Sequence, residues 1–289
     1  MGLINHDEAI NAKEALDRGL AAARQGDFGR AIADFTQAIA LDPNDAKAYF
    51  NRGTAYDDLG DKNQAIADYN QSIKIDPNFS MVYCNRGGAY YSLGEKSKAI
   101  ADFTQAIALD PKDVLAYNNR GFAYDNLGKH KQAIADFTQA IKLDPNYAAA
   151  YYNRGNAYSG LEDYERAIAD FNQALEIDPN YIDAYICRGN NYDQLNDIDK
   201  ALADYNQALE IDPNCADAYG NRGIAYANLG DYENAAKDAQ KAHDLGDDTL
   251  LEILENGKQS RNSKRRMKKI KFILILVYLT ALLALFIAK

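Results

Sequence analysis

Three histidines, three cysteines and a short run of aspartates are the side chains here that could support catalysis or metal binding. His6, His130 and His243 lie far apart, and none has a Cys, Ser or acid at catalytic or metal-ligand spacing. A nucleophile needs a base within reach and a third group to orient that base. Cys84, Cys187 and Cys215 form no Cys-x-x-Cys and no paired framework, which is the pattern of free thiols in a reducing cytoplasm. Asp193, Asp197 and Asp199 imitate the start of a calcium loop, but the turn glycine and the closing glutamate are missing. Gly2 follows Met1, yet His6 stands where a myristoylation signal needs Ser or Thr. The expectation is a non-enzymatic protein with no catalytic residue, cofactor, metal or small-molecule substrate.

What recurs is periodic. Asp-Pro pairs at Pro43, Pro77, Pro111, Pro145, Pro179 and Pro213 are spaced by 34 residues, the mark of a repeat architecture. Registered on the prolines, the units are 12–45, 46–79, 80–113, 114–147, 148–181, 182–215 and 216–249. The seventh place is always Arg (Arg18, Arg52, Arg86, Arg120, Arg154, Arg188, Arg222). The twenty-third is always Asp (Asp34, Asp68, Asp102, Asp136, Asp170, Asp204, Asp238). One cation and one anion per unit predict Arg–Asp pairs that tie the two halves of a repeat, or neighbouring repeats, together. The sixth place is Asn51, Asn85, Asn119, Asn153 and Asn221, interrupted by Asp17 and Cys187.

These columns need rigid elements to hold them, and the pattern supplies two helices per unit. In the second unit the first helix runs from about Ala46 to Leu59, where Leu59-Gly60-Asp61 turns the chain. The second carries Ala65, Ile66, Tyr69 and Ile73 at helical spacing. Asp76-Pro77 ends it, because proline disfavours helix at the residue before it. The eighth place is always Gly and the twentieth always Ala, which marks close helix crossings. The twenty-fourth is Phe35, Tyr69, Phe103, Phe137, Phe171 and Tyr205, then Ala239.

With Tyr49, Gly53, Tyr56, Ala65, Tyr69 and Pro77 in phase, the unit resembles the tetratricopeptide repeat, with Tyr for the opening aromatic and Arg where Leu is common. The resemblance covers residues 12 to about 249. It implies an all-α, right-handed superhelical solenoid of about seven helix-turn-helix units, with the first helices lining the concave face. It also implies binding of a protein or peptide in extended form. In the family the sixth place faces the lumen, so the Asn ladder either pairs with the backbone of a bound peptide or bonds within its own repeat. The remaining lumen places offer Met81, Tyr91, Leu115, Phe122 and Tyr152 in the middle, and Asp183, Asp193 and Asp217 later. The Lys and Arg of the family's chaperone-tail clamp are absent; only Lys47 and Asn51 echo it.

The ends differ from the middle. Residues 1–11 read as a lead-in, and the first unit replaces its tyrosines with Ala15 and Ala22. Thr249 and Glu252 form a capping box for a short helix over 250–256. The segment 257–271 carries Lys258, Arg261, Lys264, Arg265, Arg266, Lys268, Lys269 and Lys271 and no acid. Residues 272–288 hold no charge and have no polar face, and are expected to form one C-terminal transmembrane helix. Eight cations before this span and Lys289 after it place the repeats on the cytoplasmic side, with the C-terminus across the membrane. This layout resembles a tail-anchored, single-pass protein. It fits the mitochondrial outer membrane or endoplasmic reticulum of a eukaryote, or the inner membrane of a bacterium.

Charge divides the chain. Of 32 basic and 42 acidic residues, nine bases and no acids follow Asn256, which leaves residues 1–256 at −19. That argues against nucleic acid as a ligand of the repeats. Lys264, Arg265, Arg266, Lys268, Lys269 and Lys271 suit anionic lipid headgroups instead. The functional expectation is a membrane-anchored scaffold that binds its partner through the concave surface. The alternative is a structural assembly factor that uses convex or edge surfaces and leaves the lumen empty.

Overall fold

The computed structural model describes residues 6–247, with side chains from Ile10 onward. Fourteen helices and no strand occur among them. The first helices of successive repeats are α1 (His6–Arg24), α3 (Ala46–Asp58), α5 (Ser80–Ser92), α7 (Val114–Asp125), α9 (Ala148–Gly160), α11 (Ile182–Gln194) and α13 (Ala216–Leu229). The second helices are α2 (Phe28–Leu41), α4 (Lys62–Ile75), α6 (Lys96–Leu109), α8 (His130–Leu143), α10 (Tyr164–Ile177), α12 (Ile198–Ile211) and α14 (Tyr232–Asp244). The chain divides into two compact units, 1–145 with α1 to α8 and 146–289 with α9 to α14. In each, every helix packs on its neighbours in sequence, and the first helices of adjacent repeats touch one another.

Local chemistry sets the ends of each helix. The aspartate before each proline is extended, as at Asp76 with φ −126° and ψ 94°. Its carboxylate then accepts the N–H two residues on, at 3.0 Å from Asn44 to Asp42 and from Asn78 to Asp76. This turn explains why Asp, and not merely any residue, precedes the proline. Asp27, Asp61, Asp163, Asp197 and Asp231 cap the second helices by accepting a backbone N–H of the first turn. Asp45 and Asp113 do the same for α3 and α7.

The core is a row of aromatics set against small residues. Phe35, Tyr69, Phe103, Phe137, Phe171 and Tyr205 are buried, as are Ala65, Ala99, Ala133, Ala167 and Ala201. The eighth-place glycine exists to admit these rings. A Cβ on Gly121 would lie 2.7 Å from Cε1 of Phe137.

The lead-in differs from expectation. Helix α1 begins at His6 and crosses the boundary drawn at 11/12, because residues 6–11 have no Gly or Pro to stop a helix. The turn after the first helix also holds a surprise. Gly60, Gly94, Gly128 and Gly230 adopt positive φ there, but the same turn uses Glu162 at φ 61° and Asn196 at φ 62°. The expected capping helix over 250–256, the basic segment 257–271 and the apolar segment 272–288 lie outside the described residues. Among the described residues, no helix is long and apolar enough to cross a membrane.

Three substitutions test this account. Alanine for glycine gains about 1 kcal/mol of helix propensity, while overpacking costs about 1–3 kcal/mol. Gly121→Ala should therefore lower stability in urea unfolding, and a stabilised variant would refute the close approach. Glu162→Gly should raise stability by about 1 kcal/mol, since a left-handed residue with a Cβ is strained. Asn196→Gly should gain less, because Asn tolerates that conformation.

Candidate partner-binding face

The invariant polar residues are consumed by the fold. Arg52 donates from Nε and Nη2 to both oxygens of Asp68, each at 2.7 Å. The same two-pronged contact joins Arg86 to Asp102, Arg120 to Asp136, Arg154 to Asp170, Arg188 to Asp204 and Arg222 to Asp238. The expected Arg–Asp pairs therefore lie within each repeat, between its first and second helix. A third nitrogen reaches the preceding repeat. Nη1 of Arg86 donates to Asn70 at 2.6 Å and that of Arg120 to Thr104 at 3.1 Å. Arg188 and Arg222 likewise reach Asn172 and Asn206, each at 2.6 Å. Each guanidinium also lies over the opening tyrosine of its repeat, at 5.4–5.7 Å from Tyr49, Tyr83, Tyr117, Tyr151, Tyr185 and Tyr219.

Bonding to its aspartate holds the guanidinium of Arg52, Arg120, Arg154 and Arg222 above the ordinary arginine range. Burial pushes the Asp204 carboxyl up, against the opposing pull of Arg188. Arg18 is the exception. Its repeat has Ala15 in place of the tyrosine, its side chain is 43% exposed, and it meets Asp34 through one nitrogen at 3.1 Å.

The Asn ladder is not uniform. All five residues are half-buried. Asn85 donates to Thr54 Oγ1 at 3.5 Å, and Asn119 accepts from Asn118 at 3.5 Å. These amides are partly committed to their own stack, which leaves less of the ladder for a ligand.

The variable places are different. Met81, Leu115 and Phe122 are 54%, 55% and 42% exposed on α5 and α7. Tyr91 is half-buried, with its ring 5.5 Å from that of Phe122. Tyr152 instead packs on Phe171 at 5.9 Å and Tyr181 at 4.8 Å, with its hydroxyl 3.7 Å from Cys187 Sγ. It therefore belongs to the wall of the second unit's core. The membrane-surface residues Lys264, Arg265, Arg266, Lys268, Lys269 and Lys271 lie outside the described residues.

One pairing escaped the sequence. Nδ1 of His130 lies 2.7 Å from Oδ1 of Asp125, five positions upstream. Lys62 makes the equivalent bridge to Asp57 at 2.8 Å. The available signal was the recurrence of acid and base at the twelfth and seventeenth places. The third repeat has Tyr91 at the twelfth, so Lys96 reaches forward to the Asn126 carbonyl at 3.1 Å.

The thiols and aspartates singled out in the sequence do not converge among the described residues. Burial pushes the Cys84 thiol up to about 12 and Cys187 up as well, which makes both poor nucleophiles. Asp197 caps α12 and pairs with Lys200, and Asp193 accepts from Asn228 at 3.3 Å. No group of three or more metal-ligating side chains converges among the described residues.

Comparison with known proteins follows the repeat register. Family models for the tetratricopeptide repeat match residues 114–147, 148–181, 16–78 and 216–248, and a TPR repeat model matches 88–128 and 189–230. Among solved structures, MamA is 30% identical over 58% of this chain and 92% of its own, with a TM-score of 0.54. A tetratricopeptide repeat protein from Parabacteroides merdae is 22% identical over 85% of this chain and 98% of its own, with a TM-score of 0.67. YrrB, described as a TPR protein with an unusual peptide-binding site, is 23% identical over 64% of this chain and 95% of its own, with a TM-score of 0.54. At these last two identities the likeness is one of fold. No curated protein sequence matches the chain.

Removing one partner of the fork leaves a charge in a poorly solvated site. Arg120→Ala should cost about 3 kcal/mol in chemical denaturation. Arg18→Ala should cost under about 1 kcal/mol, as for an exposed pair. Equal losses at the two positions would show that burial does not govern the fork.

Proposed function

The chain belongs to the tetratricopeptide repeat family, and on that premise we propose that it is a non-enzymatic scaffold that captures a polypeptide on the face of its first helices. The observation that carries this is the exposure of Met81, Leu115 and Phe122. The aromatic and alanine residues that recur in every full repeat are buried or half-buried, and the recurring arginines are forked. The exposed apolar residues at the variable places satisfy no demand of the fold. Exposed apolar groups that cluster on one face are the ordinary mark of a binding surface.

Composition supports a membrane address. Residues 272–288 carry no charge over a length close to that of a hydrocarbon core, and the cations of 257–271 precede them. The scaffold thus works at a membrane surface, with Lys264 to Lys271 against anionic headgroups and the repeats on the cytoplasmic side.

A second reading has its own observation. Leu59, Leu93 and Leu127 in the first compact unit, and Leu161, Leu195 and Leu229 in the second, are all exposed, one at the end of the first helix of every repeat after the first. Such a set within one unit suits a partner that docks along the edge of its repeats.

Partner capture with the full chain separates the two readings. A partner lost on Leu115→Ser with Phe122→Ser, and kept on Leu59→Ser with Leu93→Ser, places binding on the first-helix face. The reverse result supports the edge and retires the face. For the address, the chain should stay with membranes after alkaline carbonate washing, and release into the wash would refute the span.

A further inference from the structure

Resting on that reading of the first-helix face, we infer that α5 and α7 form a notch that takes a bulky apolar side chain of an extended peptide, with a lysine or arginine of the same peptide beside Asp125. The notch lies wholly in the first unit. One wall is the stripe Met81, Gly88 and Tyr91 on α5, spaced seven and three residues apart so that they share a helix face. The other is Leu115 and Phe122 on α7, also seven apart, with Asp125 three residues further on.

Gly88 makes the gap. It holds the ninth place, where the next repeat has Phe122, and a Cβ built on Gly88 meets nothing within 4 Å. This distinguishes it from the eighth-place glycines, which a ring needs. Here the missing side chain leaves space beside two exposed hydrophobics and a tilted Tyr91–Phe122 ring pair. An apolar anchor entering there buries carbon against carbon without displacing any described contact.

Charge chooses the companion. Asp125 stands one helical turn beyond Phe122 on α7, and the Phe122 ring lies 5.5 Å from that of Tyr91, which sets the carboxylate at the Tyr91 end of the notch. Asp125 is bonded to His130, which leaves further acceptor sites on a carboxylate. Asp57 holds the corresponding place in the preceding repeat, with the exposed Asp58 next to it. Residues 1–256 carry −19, a field that draws cationic segments and repels acidic ones.

The test uses the full chain in detergent and three fluorescent peptides of equal length, read by anisotropy. One carries Leu-Phe with flanking lysines, one Leu-Phe with flanking glutamates, and one Ser-Ser with flanking lysines. Tight binding is expected for the first alone. Gly88→Leu should fill the notch and weaken that binding roughly tenfold or more. Its thermal melt should be unchanged or raised, because Leu is the better helix former. Asp125→Asn should weaken the lysine peptide and flatten its salt dependence.

Equal binding of the Ser-Ser peptide, or full binding by Gly88→Leu, overturns the notch. A glutamate peptide that binds the wild type and is lost on Gly88→Leu overturns the cationic companion while the first-helix face stands. No binding by any peptide overturns the inference as a whole. The capture experiment with Leu115 and Phe122 then decides independently whether the face itself survives.

Discussion

Each full repeat is organised around one guanidinium. The Asp68 carboxylate is nearly buried and would be costly there alone, and Arg52 meets both of its oxygens. That geometry fixes the first helix against the second in register and tilt. The third donor, from Nη1, extends the tie to the second helix of the repeat before, and the opening tyrosine closes the guanidinium from above. Arginine is required, because a lysine offers one point charge where this site uses three directed donors. The glycine and aromatic columns can then pack closely, since the two helices they join are already held.

This arrangement separates structural residues from available ones. Places seven, eight, twenty and twenty-three are committed in nearly every repeat, which is why they do not vary along the chain, and place twenty-four stays Phe or Tyr in all but the last. Places two, nine and twelve of the first helices lie outside that recurring frame, although Thr54 accepts from Tyr69 and Asp57 bridges to Lys62. They run from Lys47, Thr54 and Asp57 to Met81, Gly88 and Tyr91, and then to Leu115, Phe122 and Asp125. Variation there changes the chemistry of the face without touching the frame, so one scaffold can present different surfaces along its length.

Much of this was legible in the sequence because the repeat supplies its own alignment. Seven copies of Arg and Asp at constant offset predicted the ion pairs, and Asp-Pro predicted where the second helix stops in each of the first six repeats. The reach of Arg86 to Asn70 was not legible, since the twenty-fifth place varies between Thr and Asn in the first six repeats and only the stacked structure shows that both accept. Tyr152 was placed on the binding face by its position, and the sequence did not show that the neighbouring Tyr181 and Phe171 pack against it and leave it half-buried. Position in a helix gives direction, whereas burial depends on the size of residues one repeat away. The notch at Gly88 was hidden for the opposite reason. A glycine in a helix reads as a crossing point, and open space is a property of neighbours that the chain does not spell out locally.

The link from each arginine to the repeat before it makes cohesion along the array directional. If the first repeat opens, Arg52 loses the weaker bond to Thr36 and keeps its fork to Asp68. The second repeat is therefore left intact with a loosened edge. Arg18 meets Asp34 through one nitrogen and Gln37 through another, without the two-pronged carboxylate contact of the later repeats, which makes the first repeat the natural place for such opening. Stability then resides in nearest-neighbour terms, and fraying from that end proceeds by whole repeats, with amide protons of α1 and α2 exchanging before those of α3.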